Sequence, residues 1–163
     1  MYRQEKWDRR FLKLAEFIST FSKDPSTKVG AVIVRDVNRI VSVGYNGFDK
    51  QDPDLDEHYS DRSIKYPKII HAERNAINWA GTNGYFNLNG CTIYTTPFPP
   101  CDSDHAGGGC TDLIIEQGMS RIVSYNPTEE QIERWGDSLK SSRKKIEMHG
   151  VELVLYRKKD EET

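Results

Sequence analysis

Two short segments hold the residue types of a metal centre: His71-Ala72-Glu73, and Pro100-Cys101 followed nine residues later by Cys110. Zinc takes imidazole and thiolate ligands in tetrahedral geometry, and a catalytic zinc keeps its fourth position for water. One histidine and two cysteines supply three ligands and leave that position open. Two thiolates balance the 2+ charge while the metal still acidifies its water. Glu73 is ill placed as a further ligand if it and His71 both lie in regular helix, because residues i and i+2 point to different faces. If His71 instead stands at the helix start, where the backbone leaves helical geometry, the two side chains can converge. The carboxylate then faces the open position as general base and general acid.

Taken singly, these residues have plainer roles: His71 as a capping or core histidine, Cys101 as an inert buried thiol. Their conjunction, with a proline before the first cysteine and a strand–turn–helix context, points to a metal site. Cys110 heads a predicted helix, whose positive end is expected to lower the thiol pKa and favour thiolate. A two-residue spacer would let one turn present both sulfurs, but here the eight residues DSDHAGGG separate them. Loop-closure cost grows by only about 0.6 kcal/mol per doubling of length, so chelation across the insert stays feasible. His105, inside the insert, is the alternative ligand in place of one cysteine. Cys91 sits in an apolar strand and reads as a small core residue. His149 closes a helix, and His58 lies in an acidic loop as a solvated side chain, with a second metal site as its alternative.

Several elements must position these groups. Trp7, Phe11, Leu14, Ala15, Ile18 and Phe21 recur at helical spacing and predict an amphipathic helix over 7–22. VGAVIV (29–34) and RIVSVGY (39–45) read as a strand pair joined by a short turn. Residues 46–70 show no sustained period and contain Pro53 and Pro67, so a long loop is expected. HAERNAINWAG (71–81) is a helix, CTIYTT (91–96) a strand, and TDLIIEQG a short helix ending at Gly118. SRIVSY (120–125) is a strand, 128–149 a polar helix, and VELVLY (151–156) a last strand. The order α-β-β-α-β-α-β-α-β predicts an α/β protein with a mixed sheet and helices on both faces.

The length of 163 residues fits one domain over 1–163, with a core of about 7–156 and a tail at 157–163. No apolar run suits a membrane helix, and the charged start MYRQEKWDRR lacks a secretory apolar stretch, so a cytoplasmic location without membrane attachment is expected. Three cysteines fit a reducing compartment. A net charge of −2, with acids and bases interspersed, argues for a small-molecule partner rather than a nucleic acid.

His-x-Glu followed by Pro-Cys and a second Cys is the signature of the zinc deaminases. Beyond it, SKDPSTKVGAVIV (22–34), VGYNGF (43–48), KYPKIIHAERNAI (65–77), TIYTTPFPPC (92–101) and CTDLIIEQGMSRIV (110–123) resemble the deoxycytidylate (dCMP) deaminases of the cytidine deaminase superfamily. The segments keep the family's order over about 7–156. HAE with PC is specific to the superfamily; GYNG, and KYP shortly before HAE, point to the dCMP branch. The resemblance implies a three-layer α/β/α fold around a five-stranded mixed sheet, a Zn2+ cofactor, and conversion of dCMP to dUMP with release of ammonia. It implies that His71, Cys101 and Cys110 hold the metal, and that Glu73 carries the water's proton to N3 of cytosine and helps expel the 4-amino group. By the same resemblance the Ala72 backbone amide holds the base carbonyl and Asn46 the sugar hydroxyl. Lys28 lies on the phosphate side, with Arg62 and Lys65 in the loop, and a solvated surface cation is the alternative for each. A homo-oligomer is implied, as is a dCTP/dTTP effector site involving Gly44, Tyr45 and Gly47. The competing readings are a deaminase of dCTP or a 5-substituted dCMP, a nucleic-acid base deaminase, and a structural zinc module.

Overall fold

The computed structural model describes residues 3–102 and 109–158. Helix α1 (Arg3–Ser19) precedes the antiparallel pair β1 (Gly30–Arg35) and β2 (Arg39–Tyr45), and α4 (Ala72–Thr82) leads into β3 (Thr92–Thr96). Then α5 (Cys110–Glu116), β4 (Arg121–Tyr125), α6 (Glu129–Met148) and β5 (Glu152–Tyr156) alternate. The strands form a five-stranded mixed sheet in the order β2-β1-β3-β4-β5. β1 is antiparallel to both neighbours, whereas β3, β4 and β5 run parallel. Parallel neighbours need crossovers, and α5 and α6 supply them.

Strand alternation splits the core in two. Ala31, Ile33, Ile93 and Ile122 face Ala76, Ile77, Ile114 and Ile146, which come from α4, α5 and α6. Val32, Val34, Tyr94 and Val123 face Phe11, Leu12 and Ala15 of α1. The expected α/β architecture, with helices on both faces of a five-stranded sheet, is therefore the observed one.

Between β2 and α4 the structure departs from the expected loop. Residues 46–70 include α2 (Asp56–Ser60) and α3 (Arg62–Lys68). Both are too short to register a helical period, and Pro67 falls inside α3, where it reads as a breaker. The signal was the cap: Asp61 accepts from the Ser63 backbone N–H and hydroxyl. Packing holds α3 more firmly than propensity does, since its buried Lys65 places Nζ 2.7 Å from Asp24.

Candidate active site

The carboxyl ends of β2 and β3 open onto a cavity of about 100 Å3. Open α/β sheets bind ligands at such strand ends. His71 is the N-cap of α4, with φ −69° and ψ 154°, so it leaves the helix as the convergence argument required. Its Nδ1 lies 3.2 Å from Cys110 Sγ. Ligand atoms of His71, Glu73 and Cys110 all fall within 4.8 Å of one another. Cys101 is outside that trio but is buried and lines the same cavity beside His71 and Glu73. His105 lies outside the described residues. Cys91 is a fully buried core residue in the cluster beneath α4, and His149 caps α6 with Nδ1 2.9 Å from the Lys145 carbonyl. His58 stands 3.1 Å from the Pro53 carbonyl and does not join the trio.

Glu73 is only 5% exposed, and burial raises its carboxyl above the usual range. Cys110 corrects an expectation. Its place at a helix start was expected to lower the thiol pKa, yet burial pushes the thiol well up, and the neighbouring Glu73 and Cys101 push the same way. Taking a thiolate out of water costs more than the partial charge of a helix start returns. Three acids crowded in one buried pocket repel when ionised, and a divalent cation relieves that repulsion. The donor set of imidazole, thiols and carboxylate therefore fits zinc.

β2 sets the depth of α4. A methyl group at Gly44 would stand 2.4 Å from the Ala72 carbonyl oxygen and 2.4 Å from the Ala76 nitrogen. Gly44 thus lets the helix start approach the strand, and its role here is packing. Ala72, the first residue of α4, lines the cavity. The N–H groups of a first helical turn have no intrahelical partner.

Asn46 also lines the cavity, and its amide braces the 22–29 segment. Oδ1 accepts from the Val29 N–H at 2.9 Å, and Nδ2 donates to the Thr27 carbonyl at 2.8 Å. Lys28 is placed elsewhere: it is exposed, its Nζ donates to the Ser22 carbonyl, and it does not line the cavity. The cations that do are Lys65 and Arg134. Trp135 and Phe98 form an aromatic wall, with ring centroids 4.8 Å apart, and Arg134 lies 4.5 Å over the Trp135 ring. Reading the sequence did not single out Arg134, Trp135 or Phe98. Nothing local marks them, because residues 98 and 135 meet only once α6 crosses to the sheet. Tyr45 and Gly47 border a separate groove of about 550 Å3, with Phe21, Lys23 and Trp79.

Residues 5–126 match the family model described as the cytidine and deoxycytidylate deaminase zinc-binding region. The chain is 42% identical over 152 residues to an uncharacterised deaminase encoded 3′ of luxG in Aliivibrio fischeri, covering 91% of this chain and 92% of that one. It is 33% identical over 134 residues to the deoxycytidylate deaminase of Homo sapiens, covering 77% and 70%. Its fold is shared with the dCMP deaminase of cyanophage S-TIM5, crystallised with dCMP and dUMP. That likeness has a TM-score of 0.68 at 21% identity over 96% of this chain and 99% of that one.

Proposed function

Because the chain belongs to the zinc-dependent cytidine and deoxycytidylate deaminase family, we propose that it hydrolyses dCMP to dUMP and ammonia. The observation that carries this reading is the convergence of His71, Glu73 and Cys110 within 4.8 Å, beside a cavity that His71, Glu73 and Cys101 line. His71, Cys101 and Cys110 would hold the zinc. Bound zinc supplies Lewis acidity that brings the pKa of a coordinated water to about 7.

The chain's own residues supply the rest. Hydrolytic loss of the 4-amino group needs a proton at ring N3 and another on the departing nitrogen. Glu73, buried beside His71 and Cys110, is the carboxylate placed to carry both. The Ala72 N–H is the donor for the base carbonyl. The Phe98–Trp135 wall offers an apolar surface for the flat base and excludes water.

The balance of charge around the cavity supports a phosphorylated substrate. Its lining carries Asp24, Glu73, Lys65 and Arg134. Lys65 is neutralised by Asp24 at 2.7 Å, whereas Arg134 makes no ion pair among the described residues. Arg134 is therefore the phosphate anchor in this proposal, in place of Lys28. The groove beside Tyr45 and Gly47 is where the family resemblance puts the dCTP/dTTP effectors, and a homo-oligomer belongs to the same reading. No helix among the described residues is long and apolar enough to cross a membrane.

A substrate panel tests the proposal. Zinc-loaded protein offered dCMP, dCTP, cytidine and single-stranded DNA should form product fastest from dCMP, detected by chromatography. A preference for dCTP would move the substrate to another cytosine nucleotide. No turnover of any free nucleotide by zinc-replete protein would refute it.

A further inference from the structure

The two cysteines face a positioning problem that a two-residue spacer would not pose: eight residues separate Cys101 from Cys110. Both ends of that insert are fastened to one stripe of α6. Ser138, Ser141, Ser142 and Lys145 recur at i, i+3, i+4 and i+7, the spacing of a single helix face. Ser142 Oγ donates to the Pro100 carbonyl at 2.7 Å and lies 2.6 Å from Thr111 Oγ1. A hydroxyl has one proton, so with Pro100 taking it, Thr111 is the donor in the second bond. One turn on, Lys145 Nζ sits 2.8 Å from both Asp102 and Asp112. Ser138 accepts from the Asp102 backbone N–H at 2.7 Å, and Ser141 donates to the Asp102 carboxylate at 2.8 Å. Pro100 and Asp102 flank Cys101; Thr111 and Asp112 directly follow Cys110. Ser142 and Lys145 each therefore bind one residue from either side, as two rungs across the gap. The ends also pack closely, since a methyl group on Gly109 would come within 2.5 Å of the Asp102 carboxylate.

We propose that this polar stripe of α6 fixes Cys101 and Cys110 relative to each other as metal ligands, replacing the tight turn that a short spacer would provide. Ser142 and Lys145 are its principal positioning residues. The inference rests on the reading of both cysteines as ligands. Nothing in the reaction itself requires serines or a lysine at these places, and α6 could bury its apolar face without them. Their common feature is contact with residues adjoining the two thiols.

The test is metal affinity and cobalt spectroscopy on Ser142→Ala, Ser142→Thr and the double variant Ser138→Ala/Ser141→Ala. Ser124→Ala is the control: its buried hydroxyl donates to the Thr95 carbonyl at 2.7 Å inside the sheet, and neither residue adjoins a cysteine in the chain. Zinc affinity, read by competition with a chromogenic chelator, should fall about 10–100-fold in Ser142→Ala, the usual effect of removing an outer-shell partner. The Co2+ charge-transfer bands should change with it, and Ser142→Thr should restore both. Ser124→Ala should melt earlier yet bind zinc as the wild type does. Zinc affinity and cobalt bands unchanged in Ser142→Ala would overturn the inference. If that variant does not fold, the double variant on the more exposed part of the stripe decides by the same readouts. Wild-type cobalt spectra without two-thiolate character would instead refute the ligand assignment itself, a separate outcome.

Discussion

A buried carboxylate and a buried thiol gathered with a half-buried imidazole within 4.8 Å form an arrangement that favours either protonation or a cation. Burial raises both Glu73 and Cys110, and a thiol must lose its proton to ligate a metal. His71 and Glu73 were legible because they are neighbours in sequence, and the extended backbone at an N-cap explains how they converge. The cations of the cavity were legible only in part: Lys65 was among the candidates and lines it, though on a helix too short to be seen in the sequence, whereas Lys28 turns to the Ser22 carbonyl. Arg134, 36 residues beyond Phe98, reaches the cavity only through the packing of α6. Replacing it tests the assignment. A hydrogen bond to a charged group contributes about 1.5–3 kcal/mol, so Arg134→Gln should raise KM for dCMP by about 10–100-fold with little change in kcat. Deoxycytidine, lacking the phosphate, should show no such difference between variant and wild type. Equal effects on both substrates would assign Arg134 to the Trp135 wall instead.

Three elements supply the site: α4 carries Glu73 with His71 as its N-cap, the turn after β3 carries Cys101, and α5 begins with Cys110. The strands were readable from short apolar runs, α1 from helical spacing, and α4 and α6 from helix-forming segments that stop at glycines. Helices α2 and α3, of five and seven residues, fall below the length at which a period can be recognised. The seat of α4 on β2 is also invisible in sequence, since it depends on Gly44 meeting backbone atoms of Ala72 and Ala76. A side chain there cannot be accommodated by rotamer change alone. Overpacking of this kind costs about 1–3 kcal/mol. Gly44→Ala should therefore lower Tm by several degrees in a thermal melt and, by shifting the helix start that holds His71, weaken zinc binding. A variant that melts and binds zinc as the wild type does would show that the close approach has slack.

At the scale of the molecule, the sheet is tied to α1 by one buried acid. Asp8 is fully buried and takes two 2.7 Å hydrogen bonds from Arg121, with further ones from Tyr94 and Tyr156 at 2.8 Å. Burial alone would raise its carboxyl; Arg121 first, then Gln4 and the two phenols, outweigh that and hold it below the ordinary 3.8. Burial and then Asp8 push the Tyr156 phenol up to about 12. A depressed carboxyl stabilises the fold fully above its unfolded value, and that stabilisation is lost as the pH falls through the lower folded one. Urea midpoints of the wild type should thus fall in acid below about pH 4. Asp8→Asn, which leaves Arg121 without its partner, should cost about 3 kcal/mol near neutrality and flatten that acid slope; parallel slopes would place the acid sensitivity elsewhere. At the strand ends of this fold, Glu73 is proposed to move protons while other residues hold the metal. Bound zinc and dUMP formation from dCMP, measured on the same preparations of wild type and Glu73→Gln, test it most directly. Zinc content should be equal in the two, with turnover reduced by at least about 10²–10⁴-fold in the variant. Undiminished turnover, or loss of zinc together with turnover, would contradict it.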